Sequence, residues 1–341
     1  MNFLPRIYGQ SKIQKSLKRM VSDDTLSHTI IFYGDEGLGK TTAAIDLAAV
    51  LTHKNDKYQK ETEMWFSEDV SRYQILTTSD KLLWYIRPLG LELKFEQFRI
   101  FFEEMNSFDN QVHVCIIDEA QSMMPPVANA LLKTLEEPLN NVYFILITHE
   151  LNSLLPTIIS RAELFPFFPL NKEEYIQLIN DFHDKFTLPL NLSVEESFRL
   201  TEGNPGMTLS FSSDNNSVGF EEALKFWEIF SENKTAFYKL TEKEFKDRVE
   251  FIRYLKCLSL IGQDLMVIAS TGKTDFIRCV NFKDIEKIIV QKWTYEKVCK
   301  AIKILDKSLK ACKRYISVKL IWDMILVEFE HIQKGDIGWK V

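Results

Sequence analysis

The octapeptide Gly34-Asp35-Glu36-Gly37-Leu38-Gly39-Lys40-Thr41 constrains this chain more than any other stretch. It follows the apolar run 28–33 and opens a helical pattern that continues to Leu51, so it joins a strand to a helix. Glycines let such a loop curl until successive N–H groups and the helix N-terminus face a polyphosphate. Lys40 then reaches the β- and γ-phosphates, and the Thr41 hydroxyl is a ligand for Mg²⁺. A bare glycine turn would explain the glycines alone, whereas here strand, loop spacing and the Lys-Thr pair occur together. The expected nucleotide-binding residues are Gly34, Gly37, Gly39, Lys40, Thr41 and Thr42, with ATP and Mg²⁺ as the bound species.

A second apolar run, 112–117, ends in Asp118-Glu119. In a doubly wound sheet ligands sit beyond the carboxyl ends of the strands, so these acids are expected to face the same phosphates. Asp118 is assigned to Mg²⁺, directly or through water, and Glu119 to orienting or deprotonating the attacking water. A third strand, 142–147, ends in Thr148, whose hydroxyl either touches the γ-phosphate or the water, or is a plain strand-end threonine. Leu82 to Ile86 reads as a further strand. The aromatic stripe Phe95, Phe98, Phe101, Phe102 and Met105 reads as the core face of a helix. A helix over 127–137 is bracketed by Pro125-Pro126 and Pro138. Residues 53–80 read only as a connection, with a short apolar island at 64–66.

Alternating strand and helix signals to about Phe168 predict an α/β domain with a mainly parallel sheet. Beyond it the patterns are helical. A small unit runs to a break at Gly203-Asn204-Pro205-Gly206 and a polar linker over 210–216. An all-α region follows, with one seam through Val298, Ile302, Leu305, Leu309, Cys312 and Ile316. The expected division is 1–168, 169–212 and 213–341. Residues 281–320 carry 11 Lys/Arg against 4 Asp/Glu, which is either a solvated helix face or a contact for a phosphate backbone.

At 341 residues two or three domains are expected, and 45% hydrophobic with 26% charged residues describes a soluble globular chain. No apolar run approaches the length of about 20 residues that crosses a bilayer. The start of the chain lacks a signal-peptide core, so no membrane and a cytoplasmic location are expected. The five cysteines contain no C-x-x-C pair and the histidines no ligand spacing, which indicates neither a disulfide frame nor a cysteine zinc site. A net charge of −6 argues against coating nucleic acid by bulk attraction.

Together with the phosphate loop, the runs Ile116-Ile117-Asp118-Glu119-Ala120, Asn129 to Pro138 and Leu155 to Arg161 resemble the AAA+ clamp-loader subunits of bacterial DNA polymerase III. The likeness covers roughly residues 5–210 by motif. It implies an AAA+ P-loop domain, a small helical lid and an all-α collar that holds a ring-like hetero-oligomer. Within the family the delta-prime type is nearest. Gly203-Asn204-Pro205-Gly206 resembles its lid motif, and Met207 stands where the gamma/tau motor carries a phosphate-sensing arginine. A thioether cannot supply that charge.

The resemblance implies that Arg161 acts in trans as an arginine finger on a neighbour's ATP, against the alternative of a salt bridge inside its own domain. Ala162 stands where the family usually has cysteine. Residues 52–81 lack the family's zinc-binding cysteines, so no zinc is expected. The implied partners are the gamma/tau and delta subunits, the sliding clamp reached through the complex, and primed DNA. The implied function is to help load the clamp in DNA replication, with ATP binding and weak or absent turnover by this chain itself. The alternative is a self-sufficient AAA+ motor, of gamma/tau type or another DNA-remodelling ATPase. The intact loop and carboxylates favour it, while Met207 and the absence of room for a polymerase-binding tail oppose it.

Overall fold

The phosphate loop leaves the carboxyl end of the strand next to one edge of a six-stranded sheet in a computed structural model. The structure describes residues 3–63, 65, 75–88, 90, 92–105, 110–136, 141–183, 186, 188, 192–212, 216–232, 240–312, 314 and 316–334. Met64, Phe66, Glu137, Pro138 and residues 213–215, which figure in the expectations above, lie outside these. The described residues pack as two compact units, 1–178 with 203–206, and 179–202 with 207–341.

In the first unit the strands are β1 (Thr29–Tyr33), β2 (Ile75–Thr77), β3 (Leu83–Ile86), β4 (His113–Ile117), β5 (Val142–Thr148) and β6 (Glu163–Pro166). Their spatial order is β2-β3-β4-β5-β1-β6. All neighbours are parallel except β2 against β3. The helices are α1 (Ser11–Ser22), α2 (Lys40–Leu51), α3 (Asn55–Glu63), α4 (Phe95–Met105), α5 (Pro125–Glu136), α6 (Pro156–Ile159) and the start of α7 (Lys172–Asp181). Ile30 and Phe32 of β1 join one core with Ala44, Leu47 and Ala48 of α2, while Ile31 joins the other with Phe98 and Leu131. A strand covered on both faces needs an unbroken apolar run, which is why residues 28–33 do not alternate.

The second unit is all-helical. It contains α8 (Val194–Thr201), the body of α9 (Pro205–Ser212), α10 (Asn216–Glu232), α11 (Arg248–Thr271), α12 (Lys283–Val290), α13 (Tyr295–Ala311) and α14 (Val318–Lys334). Trp227, Trp293, Trp322, Phe226 and Phe329 fill its core. Each indole N–H finds a backbone carbonyl: Trp227 donates to Leu258 at 3.0 Å, Trp293 to Trp227 at 3.2 Å and Trp322 to Leu240 at 3.0 Å. Buried tryptophan requires such a partner. The expected fold class is therefore the one adopted, a mainly parallel α/β unit bearing the loop followed by an all-α region.

Several local expectations are corrected. The stretch read as a bare connection contains α3 and β2, whose antiparallel pairing to β3 adds an edge that no periodicity over three residues could announce. Part of the expected linker, Ser210 to Ser212, is the last turn of α9. The seam through Ile316 is not one helix: α13 stops at Ala311, and Arg248 donates to the carbonyls of Cys312 at 2.8 Å, Arg314 at 3.0 Å and Ile316 at 2.8 Å. A guanidinium fork that satisfies three main-chain acceptors replaces the helical bonds they would otherwise make. Phe98 and Phe101 are core as expected, but Phe95 of the same stripe is exposed.

Candidate nucleotide site

Tyr33 at the end of β1 pairs with Thr148 at the end of β5, so the loop leaves the sheet between two strand ends. The Gly34 amide donates to the Thr148 carbonyl at 3.3 Å. Gly34, Gly37 and Gly39 all have positive φ, 137°, 84° and 85°. Lys40 is only 7% exposed. Its ammonium donates to the carbonyls of Gly34 at 2.6 Å and Asp35 at 2.5 Å. Burial lowers the Lys40 pKa, and the charges of Asp118, Glu36 and Asp35 oppose that fall. A desolvated cation ringed by acceptors is poised for an anion of higher charge. Thr42 lies one residue further into α2, half-buried.

Asp118 follows β4. Its Oδ2 accepts from the Thr41 hydroxyl at 3.3 Å and from the phenol of Tyr85 on β3, while its Oδ1 accepts from the Glu119 amide at 2.9 Å. Octahedral Mg²⁺ at about 2.1 Å from each ligand places adjacent oxygens about 3 Å apart, so Thr41 and Asp118 fit neighbouring positions on that ion. Burial, then the Asp118 charge and the hydrogen bond to it, raises the Tyr85 pKa well above its ordinary value. Tyr85 therefore stays a donor and orients the carboxylate. Glu119 is exposed and holds the left-handed backbone, φ 48° and ψ 47°. That conformation costs a residue with a Cβ about 1 kcal/mol and ends the strand sharply.

Thr148 is buried. Its hydroxyl donates to Gln121 Oε1 at 2.9 Å and accepts from the Glu150 amide at 3.0 Å. Arg161, just after α6, is 37% exposed at its side chain and pairs with Glu136 at 2.9 Å. It also donates to the Thr157 carbonyl at 3.0 Å. In the single chain the guanidinium thus makes a pair inside its own domain, at the surface, where such pairs contribute about 1 kcal/mol or less.

The tetrapeptide 203–206 packs with the α/β unit, and sequence spacing does not reveal where. Asn204 donates to the Glu36 carbonyl at 2.8 Å, and the Gly206 amide donates to the Gly37 carbonyl at 3.0 Å. A Cβ on Gly206 would lie 2.3 Å from the Gly37 Cα, so only glycine allows this approach. In a trans peptide C=O and N–H point opposite ways. Pinning the carbonyls of Glu36 and Gly37 to this turn therefore aims the amides of Gly37 and Leu38 away from it. Tyr85 and Gln121 are supporting residues that the motifs left out, while Asn204 and Gly206 belong to the quoted lid motif, whose seat on Glu36 and Gly37 the sequence did not reveal. Met207, next in sequence, packs against the helical core of the second unit.

Residues 9–171 match the profile of a family described as DNA polymerase III, delta subunit. The DNA polymerase III subunit delta' of Bacillus subtilis is 34% identical over 164 residues, 47% of this chain and 48% of that one. A replication factor C small subunit of Methanococcus maripaludis is 28% identical over 187 residues, 55% of this chain and 53% of that one. This chain thus spans about half the length of the curated relatives it matches. Among solved structures, a gamma subunit-related protein of Thermotoga maritima aligns over 94% of this chain and 99% of its own, with 18% identity and a TM-score of 0.47.

Proposed function

We propose, on the premise that through residues 9–171 this chain is a clamp-loader AAA+ protein of the delta-prime type, that it serves as a subunit of a DNA-replication clamp loader and lends Arg161 to a neighbour's ATP site. In this reading residues 1–168 hold the nucleotide, 169–212 form the lid and 213–341 the collar. Gly34, Gly37, Gly39, Lys40, Thr41 and Thr42 cradle ATP. Thr41 and Asp118 hold Mg²⁺, and Glu119 and Thr148 lie at the strand ends beside it. Bound ATP would supply a γ-phosphate whose contacts order an assembly and are lost on hydrolysis, and Mg²⁺ on Thr41 and Asp118 would offset its charge. Its partners are then gamma/tau and delta subunits, the clamp and primed DNA.

The observation that carries the reading is the weak tether of Arg161. An exposed ion pair is easily exchanged for a bidentate contact with a triphosphate, which is shorter and stronger. The test is ATP turnover by the chain alone and by the reconstituted loader. No turnover alone, with loader turnover falling by roughly a hundredfold or more on Arg161→Ala, supports the proposal. The second reading, a self-sufficient motor, is favoured by the Thr41, Asp118 and Tyr85 arrangement. Rapid hydrolysis by the chain alone that survives Arg161→Ala would establish that reading instead.

A further inference from the structure

The helical unit contains a second cluster of chemistry-bearing residues, and the nucleotide site does not use it. Asp264 on α11, Cys279 before α12 and Glu286 on α12 are 2%, 2% and 0% exposed. One ligand atom from each lies within 4.8 Å of the others. Asp264 is anchored: its Oδ1 accepts from the Arg278 amide at 2.8 Å and its Oδ2 from the Cys279 amide at 2.7 Å. Glu286 is the opposite case, since neither carboxylate oxygen has a hydrogen-bond partner among the described residues. Moreover, α12 turns Ile285 and Ile288 outward, 40% and 58% exposed, while it buries this glutamate. A helix that shows two isoleucines to the outside and seats an acid in an apolar core reverses the usual preference, so something must hold the acid inside.

We propose that Asp264, Cys279 and Glu286 form a buried binding site for a divalent transition-metal cation of the zinc class. The donor set selects the metal. A thiolate with two carboxylates suits Zn²⁺ and its first-row neighbours, whereas Mg²⁺ and Ca²⁺ take oxygen alone. The cation offsets two acids placed side by side away from water, and it ties α11 to the segment that opens α12. Burial, with Asp264 beside it, pushes Glu286 up to about 9, and burial also raises the Cys279 thiol well above its ordinary value. Binding therefore displaces one proton from each into solvent as the two metal bonds form.

The test uses the full chain, reduced and stripped of metal, titrated with Co²⁺ as a coloured stand-in and then with Zn²⁺. One equivalent of Co²⁺ is expected to bind with a thiolate-to-cobalt charge-transfer band that Zn²⁺ removes. Cys279→Ser is expected to lose the band and Cys299→Ser to keep it. Glu286→Gln is close in shape, so it keeps the measurement decisive even if Cys279→Ser fails to fold. It is expected to weaken binding by more than the roughly 10–100-fold that loss of an outer-shell partner costs. Binding below one equivalent, a band that survives Cys279→Ser, or unchanged affinity in Glu286→Gln overturns the proposal. In those cases Glu286 is a buried neutral acid.

Discussion

Two buried ionisable groups, one in each unit, are treated in opposite ways. Lys40 in the α/β unit is surrounded by acceptors from its own loop, and three carboxylates stand nearby. Glu286 in the helical unit has no hydrogen-bond partner on either oxygen among the described residues. The first has its charge compensated by contacts that the chain itself makes. The second lacks even those contacts among the described residues. Asp46, also in the α/β unit, falls on the Lys40 side of the comparison: Arg6 donates to it from its Nε at 2.6 Å and from its backbone amide at 3.0 Å.

The sharpest way to break this contrast is to turn Asp46 into a second Glu286. Arg6→Ala is expected to cost about 3 kcal/mol in urea unfolding at pH 7, because it strands a buried carboxylate. Burial already holds the Asp46 pKa above its ordinary value, more than Arg6 brings it down. A carboxyl raised on folding contributes stability below its unfolded pKa and loses it as pH rises through the folded one. The cost of Arg6→Ala should therefore be smaller at about pH 4 than at pH 7, because protonation of the acid as pH falls removes its need for a cation. An equal loss at both pH values would mean that the charge is not what Arg6 serves.

Gly206→Ala comes next. It drives a Cβ into the Gly37 backbone, and the loop or the turn must shift, at about 2 kcal/mol by thermal unfolding. ATP binding should weaken with it, read by a fluorescent nucleotide analogue. Unchanged nucleotide affinity would show that the amides of Gly37 and Leu38 do not depend on this turn.

On the other side of the comparison, Glu286→Gln in the metal-free chain is expected to gain about 1–2 kcal/mol, since an amide is cheaper to bury than an acid without a partner. Added Zn²⁺ should reverse the order of the two proteins' melting temperatures. The smallest effect on stability belongs to Arg161→Ala, within about 0.5 kcal/mol, because its pair with Glu136 is at the surface. A larger loss would make that pair structural and weaken the case for its exchange across a subunit boundary.

How much of this was legible before the fold was known depends on how far apart the participants lie in sequence. The place of the loop Gly34 to Thr41 between a strand and a helix, and of Asp118-Glu119 at a strand end, could be read directly, because each is a short run set by its own backbone and strand context. Tyr85 and Gln121 could not, although each holds a motif residue in place. Tyr85 reaches Asp118 because β3 lies beside β4, and nothing in an apolar strand pattern marks one tyrosine as a partner. The tetrapeptide 203–206 was visible as a helix break and as a likeness to the lid motif, but its seat on Glu36 and Gly37 was not. The helix end at Ala311 was missed for the same reason, because Arg248 ends it from 64 residues away in sequence.

What the sequence determined by itself is whatever rests on local geometry: where strands and helices repeat, where glycines let the loop curl, and where a lysine and a threonine open a helix. Only the tertiary structure decided which buried charges found partners. Lys40, Asp46 and Glu286 are equally charged residues on paper. Their environments differ because a hydrogen bond acts over about 3 Å in space, whatever the distance along the chain.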